Sequence, residues 1–188
     1  MGMILETERL ILRGWRDDDA PSLFKYASDD RIGPAAGWLP HVSENYSRAV
    51  IRTIFAKDEV YAICLKGSGD EPVGSIGLTL EGSLERPLKM KEAELGYWIG
   101  HPFWGQGLVT EAAKEVMRHG FEDLGLDRIL CGCFKGNTRS QKVQEKCGFK
   151  HLYTNETSHV PMLGETRVEH ISAITRDEFL CGKVLQKT

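Results

Sequence analysis

The ten residues from Phe103 to Ala112 place Gly105 and Gly107 one residue apart, directly before a strongly amphipathic helix. A strand is expected just before them, from Ala93 to Ile99. A strand, a glycine-rich turn and a helix N-terminus form an anion site. The turn aims free backbone N–H groups at one point, and the helix dipole adds partial positive charge there. The pattern therefore implies a phosphorylated ligand. It is not the triphosphate loop, which needs four residues between its glycines and then Lys-Ser/Thr. Nor is it the dinucleotide fingerprint, because Leu108-Val109-Thr110 follows Gly107 and the third glycine is missing. The other reading of the same residues is a plain turn that only reverses the chain.

The rest of the chain sets bounds on that ligand. Its 188 residues fit a single domain, 1–188, and 41% hydrophobic content is enough for a core. A net charge of −3 argues against a protein that coats nucleic acid directly. No apolar run approaches the roughly 20 residues that span a bilayer. The first thirteen residues carry Glu6 and Glu8 and no apolar signal core, so no membrane association and a cytoplasmic location are expected. The five cysteines are odd in number and irregular in spacing. Cys131-Gly132-Cys133 is not a zinc spacing, and the six histidines show no paired helical spacing, so no metal is expected. Cys131 and Cys133 share one face of a strand and read as buried reduced thiols.

The elements that must hold the turn follow from periodicity. Thr7–Arg13 alternates with Leu10 and Leu12 on one side, which predicts a strand. Asp17-Asp18-Asp19 opens a helix to Ala27, and Gly33–Pro40 reads as a loop. Ser43 caps a helix to Ala56 whose stripe is Tyr46, Val50 and Ile54. Tyr61–Leu65 and Val73–Leu80 form a hairpin, Glu81–Lys91 is a charged connection, and Glu92–Ile99 is the next strand. After the glycine turn, Val109, Ala112, Ala113, Val116, Met117, Gly120, Phe121 and Leu124 recur at helical steps until Gly125. Asp127–Phe134 is a strand, Asn137 caps a helix to Cys147, and Gly148 ends it. Strands near Phe149–Thr154 and Val168–Ile174 follow, then a helix opened by the capping box Thr175-x-x-Glu178. The class is α/β or α+β, with a central mixed sheet.

Three segments in this order resemble the GNAT superfamily of N-acetyltransferases: Glu94-Leu95-Gly96-Tyr97-Trp98-Ile99; Trp104 to Ala112; and Asn137-Thr138-Arg139-Ser140 followed by Val143, Glu145-Lys146 and Gly148-Phe149. The likeness runs from about Leu5 to Leu180. Within the superfamily the chain looks most like the branch that acetylates the N-termini of ribosomal proteins, which shares the opening Thr7-Glu8-Arg9-Leu10. The resemblance implies a mostly antiparallel sheet splayed at the cofactor site and flanked by helices. It also implies acetyl coenzyme A as the acetyl donor, and it leaves a homodimer open. The pyrophosphate would rest on backbone amides of Trp104, Gly105, Gln106, Gly107, Leu108, Val109 and Thr110. The pantetheine arm would pair with the strand at Trp98 and Ile99. Asn137 and Ser140 would lie by the far part of the arm and the thiol, and Lys142 or Lys146 would reach the 3′-phosphate. Two positions depart from the family pattern. Trp104 stands where Gln or Arg is usual, and Val109 where Gly or Ala is usual.

Acetyl transfer to an amine needs a neutral nucleophile, a donor for the carbonyl oxygen and a leaving thiol. A free α-amine, with a pKa of roughly 7.7–8.0, is already partly neutral near pH 7, whereas a lysine amine near 10.4 is not. Positioning and a backbone N–H at the carbonyl oxygen therefore carry much of the reaction. Glu94 is the candidate base, and a structural salt bridge is its other reading. Ser140 is the candidate proton donor to the thiolate, with a helix-start hydroxyl as the alternative. Trp38, Pro40, His41 and Tyr97 are the candidate acceptor wall, although Trp38 could equally plug the edge of the core. His159 and His170 are weaker candidates. The acceptor is a protein or peptide N-terminus on the leading reading. A small-molecule amine such as a polyamine, amino sugar or antibiotic is the second. A coenzyme-binding module without activity is the third.

Overall fold

The structure is a computed structural model describing residues 3–80 and 87–185. Its framework is one open sheet of eight strands among the described residues, in the order β1-β2-β3-β4-β5-β6-β8-β7. Strands β1 (Leu5–Glu6) and β2 (Leu10–Gly14) form a hairpin. The strand expected from Thr7 begins only at Leu10. The Thr7 hydroxyl accepts from the Leu10 amide at 3.0 Å and the Thr7 amide donates to the Leu10 carbonyl at 3.0 Å, which closes a turn over the residues between. Leu10 and Leu12 then point inward, fully buried.

A short 3₁₀ turn, Asp17–Asp19, leads into α1 (Ala20–Ala27). Asp19 accepts from the Arg16 amide and from both Nη atoms of Arg13, each at 2.8 Å. Where a loop was expected, Gly33–Ala36 winds into a short helix, α2, closed by Gly37 in the left-handed region. In α3 (Glu44–Val50) the Ser43 hydroxyl accepts from the Tyr46 amide, as its cap position implies. The expected stripe is partly wrong. Ser47, Val50 and Ile51 are buried, Tyr46 near the helix start is exposed, and Ile54 is exposed where the helix loosens into a π-helical turn at Ile51–Phe55.

The hairpin β3 (Val60–Leu65) and β4 (Pro72–Thr79) forms as expected. Of the charged connection expected over Glu81–Lys91, residues 81–86 lie outside the described residues. Strand β5 (Glu92–Ile99) leads to the turn and to α4 (Leu108–Arg118), which continues as a π-helical turn, His119–Asp123. Val116, Met117 and Phe121 are essentially inaccessible against the sheet, each contributing about 1.5–3 kcal/mol of burial. Leu124 is not part of that stripe; it is exposed. Strand β6 (Arg128–Phe134), helix α5 (Thr138–Lys146), strands β7 (Lys150–Val160) and β8 (Glu165–Thr175) and helix α6 (Arg176–Leu185) complete the fold. The last two strands run longer than their alternation implied. Polar residues sit on both faces of β7, an edge strand, and hide the period. The capping box at Thr175 and Glu178 is present in both directions.

Helix α4 packs one face of the sheet, and α1 with α3 packs the other. Every strand pair is antiparallel except β5 with β6, so the class is mixed α/β with a mostly antiparallel sheet.

Candidate active site

The parallel pair is where the sheet opens. Strand β5 pairs with β4 from Glu94 to Ile99, but pairs with β6 only at Glu92, Ala93 and Glu94. Beyond that point the two strands part. The edge of β5 from Leu95 onward faces a cleft of about 770 Å³, bounded across the gap by Cys131 to Phe134 and at its end by the glycine turn. An unpaired strand edge facing a cleft suits an extended ligand that adds hydrogen bonds along it.

At the turn, Gly105 and Gly107 have φ of 74° and 77°, a region that side chains disfavour. Helix α4 starts at Leu108 with no side-chain cap. The amides of Leu108, Val109 and Thr110 therefore have no partner within the helix, at the end where its dipole is positive. Arg139, Lys142 and Lys146, all on α5, line the same cleft and add positive charge. Trp104 acts through its side chain. Its Nε1 donates to the Ile99 carbonyl at 3.0 Å, and its ring lies 3.7 Å beneath the Arg139 guanidinium. It thus ties the turn to β5 and holds a cation over it. Val109 is buried and its bulk faces the core, so the departure there leaves the amide in place. Gln106 does not line the cleft. Its side chain donates to the Pro102 carbonyl at 2.9 Å, and its own carbonyl is taken by Arg9.

Alternation along β5 divides the candidate chemical groups between the two faces of the sheet. Glu94 and Trp98 project to the face covered by α1 and α3, while Tyr97 projects toward α5. The Tyr97 Oη lies 2.9 Å from the Ser140 Oγ, and burial pushes the phenol well above its ordinary value. Ser140 sits in the first turn of α5, where its amide donates to Asn137 Oδ1 at 3.2 Å. Asn137 is occupied at both ends, since its Nδ2 donates to the Ala35 carbonyl at 3.3 Å. It joins α5 to α2. Glu94, Tyr97, Trp98, Ile99, Asn137, Ser140 and Lys142 all line the cleft, so the structure brings together most of the residues singled out in the sequence.

Trp38 also lines the cleft, edge-on to Trp98 with ring centres 6.0 Å apart. His41 does not. It is 8% exposed, packed between the rings of Trp38 and Tyr46, with Nδ1 2.8 Å from the Ser47 hydroxyl. Burial lowers its pKa to about 4, so it is a neutral packing residue. His159 is exposed on β7, and His170 faces a separate cavity with its Nδ1 3.0 Å from Thr154 Oγ1. Glu169 was not anticipated. It is 9% exposed on β8, accepts from the Ser158 hydroxyl at 2.9 Å and lines the main cleft. The only sequence signal was its alternation with His170.

The chain matches the family model described as "Acetyltransferase (GNAT) domain" over residues 9–150, and it belongs to that family. It is 30% identical over 167 residues to the "Uncharacterized N-acetyltransferase YoaA" of Bacillus subtilis, spanning 83% of this chain and 92% of that protein. It is 33% identical to the "Putative ribosomal N-acetyltransferase YdaF" of the same organism over 97 residues, 44% of this chain and 53% of that one. A putative acetyltransferase from T. thermophilus superimposes with a TM-score of 0.82 at 22% identity, covering 100% of this chain and 96% of the other. Two further solved structures of this fold, with TM-scores of 0.71 and 0.72, hold coenzyme A as a disulfide and acetyl coenzyme A. The protein is an N-acetyltransferase that uses acetyl coenzyme A. The free amides of the turn, the cations of α5 and the open edge of β5 fit that cofactor.

Proposed function

We propose that this chain forms one N-acetyltransferase domain that acetylates a primary amine at a protein or peptide N-terminus. The observation that carries the reading is the cleft through the parted strands, which has the amide turn at one end, Glu94 on one face of β5 and Ser140 with Tyr97 on the other. Acetyl coenzyme A supplies an activated acetyl group and a thiol leaving group. Glu94 takes the proton of the incoming ammonium, directly or through one water. Ser140, bonded to Tyr97, holds a proton for the thiolate side. Glu169, which is buried, supplies a second carboxylate on the Glu94 face, which orients the ammonium before it loses its proton. Trp38 and Trp98 form an apolar wall for the residue that carries the amine.

The preference for an N-terminus rests on two observations. An α-amine is partly neutral near pH 7, so a single carboxylate base suffices. A relative is also named a putative ribosomal N-acetyltransferase. The paired carboxylates Glu94 and Glu169 support a second reading, a small polycationic amine. The experiment is label partition. The protein is incubated with isotopically labelled acetyl coenzyme A and an extract of its own source, and macromolecules are separated from metabolites. Label at a protein N-terminus is expected. Label confined to small molecules would replace this reading with the second.

A further inference from the structure

The opening Thr7-Glu8-Arg9-Leu10 contributes no residue to the lining of the cleft, yet it is hydrogen-bonded to the start of α4 across about a hundred residues. Glu111 is the fourth residue of that helix. Its Oε1 accepts from the Thr7 hydroxyl at 2.5 Å and from the Arg9 amide at 2.9 Å, and its Oε2 accepts from Arg9 Nε at 2.6 Å. The same guanidinium reaches into the turn, where Arg9 Nη1 donates to the Gln106 carbonyl at 3.1 Å. The Lys66 amide in turn donates to the Arg9 carbonyl at 2.8 Å, which ties this segment to the end of β3. One arginine thus bridges the sheet, the turn and the first turn of the helix.

The consequence follows from the planarity of the peptide. In a trans peptide the C=O and the following N–H point in opposite directions. Holding the Gln106 carbonyl on Arg9 therefore turns the Gly107 N–H away from Arg9. Gly107 lines the cleft, whereas Gln106 does not. Gly107, on one side of this peptide, is left-handed and carries no side chain to resist rotation, so the peptide depends on its carbonyl partner to keep its orientation. The carboxylate of Glu111 raises a second problem. A negative charge in the first turn suits the helix dipole but repels an anion arriving at the same end. Arg9 holds the opposite charge against it.

We propose that Thr7, Arg9 and Glu111 form a positioning clamp that sets the peptide of the phosphate-binding turn, and so governs affinity for donors that carry a pyrophosphate. Arg9 acts through Glu111 and Gln106 and is not itself a phosphate ligand. The inference rests on the reading that the turn receives the pyrophosphate of the cofactor.

The test measures dissociation constants for coenzyme A and for pantetheine, which lacks the pyrophosphate, by calorimetry on the intact protein. Arg9→Ala should weaken coenzyme A about tenfold, roughly 1.4 kcal/mol, as expected for losing one well-placed charge-assisted hydrogen bond. Pantetheine affinity should stay within about twofold. Glu111→Gln should weaken coenzyme A as well, and the double variant should be no worse than the weaker single one. Equal losses for both ligands, or no loss in a folded Arg9→Ala protein, would overturn the clamp. Tighter binding in Glu111→Gln, additive with Arg9→Ala, would make Arg9 a direct phosphate contact instead. If Arg9→Ala does not fold, Arg9→Lys keeps the charge beside Glu111 but cannot reach both partners, and it should still lose coenzyme A selectively. A wild-type protein that binds pantetheine as tightly as coenzyme A would overturn the pyrophosphate reading rather than the clamp alone.

Discussion

Replacing Gly107 by tryptophan should separate cofactor binding from folding. Gly107 has a φ of 77° at the cap of α4, and an added Cβ would approach only Arg9 Nη2, at an ordinary 3.7 Å. Backbone conformation therefore decides the outcome, rather than crowding by the fold. An L-residue held in the left-handed region costs about 1–2 kcal/mol. For a chain of this size that lowers Tm by roughly 2–8 °C and leaves most of the stability in place. The cofactor loses more. If the turn relaxes, the amides of Leu108 and Val109 no longer converge, and two hydrogen bonds to a charged group are worth about 3–6 kcal/mol. The dissociation constant for coenzyme A should rise at least about 100-fold. Calorimetric titration with a parallel thermal melt reads both effects. Gly164→Trp is the control, because Gly164 has a φ of 64° with open space around it, between β7 and β8. It should show a similar change in Tm with binding unaltered. Coenzyme A affinity within about tenfold of wild type in Gly107→Trp would refute the assignment of the turn.

Three further outcomes follow from the same geometry. Glu94→Gln should lower turnover about 100-fold or more and shift the pH–rate profile upward, toward the amine's own pKa, with coenzyme A affinity unchanged; an unaltered profile would remove Glu94 from the proton transfer. His41 has a folded-state pKa of about 4, below its ordinary 6.5. The stability it confers is complete above about pH 6.5 and declines as pH falls toward 4, by at most about 3 kcal/mol, and His41→Gln should flatten that slope in denaturant titrations. Burial pushes the Cys64 and Cys147 thiols up to about 11 and raises Cys131 and Cys133 as well, while Cys181 is exposed. Alkylation of the native protein at pH 8 should modify Cys181 alone, and rapid labelling that persists in Cys181→Ser would contradict the burial of the others.

The local features of this fold were legible because they are written within a few residues. The glycine turn lies within a few consecutive residues, and the caps at Ser43 and Asn137 and the box at Thr175 each join a side chain to a backbone group three residues away. The stripe of α4 repeats at helical spacing and lies buried from Val109 to Phe121, Leu124 alone falling outside it. Contacts across the fold left no such mark. Nothing near Leu95 announces that β5 leaves β6 there, because strand direction and divergence are set by which strands lie side by side. Tyr97 and Ser140 meet across 43 residues, and Arg9 reaches Glu111 across 102. His41 looked like a site residue from its loop, but the short helix at Gly33 and the ring of Trp38 place it behind the cleft wall. Glu169 was hidden in an alternating strand, where an inward carboxylate and an outward one look the same.

We propose that the cofactor lies between the parted strands with its phosphates on the turn. Amide hydrogen exchange with and without saturating coenzyme A tests it most directly. Slower exchange is expected at Leu108, Val109 and Thr110 and along the open edge of β5 near Trp98 and Ile99, with the outer strand β7 unaltered. Protection confined to other elements, or none at saturation, would contradict the placement.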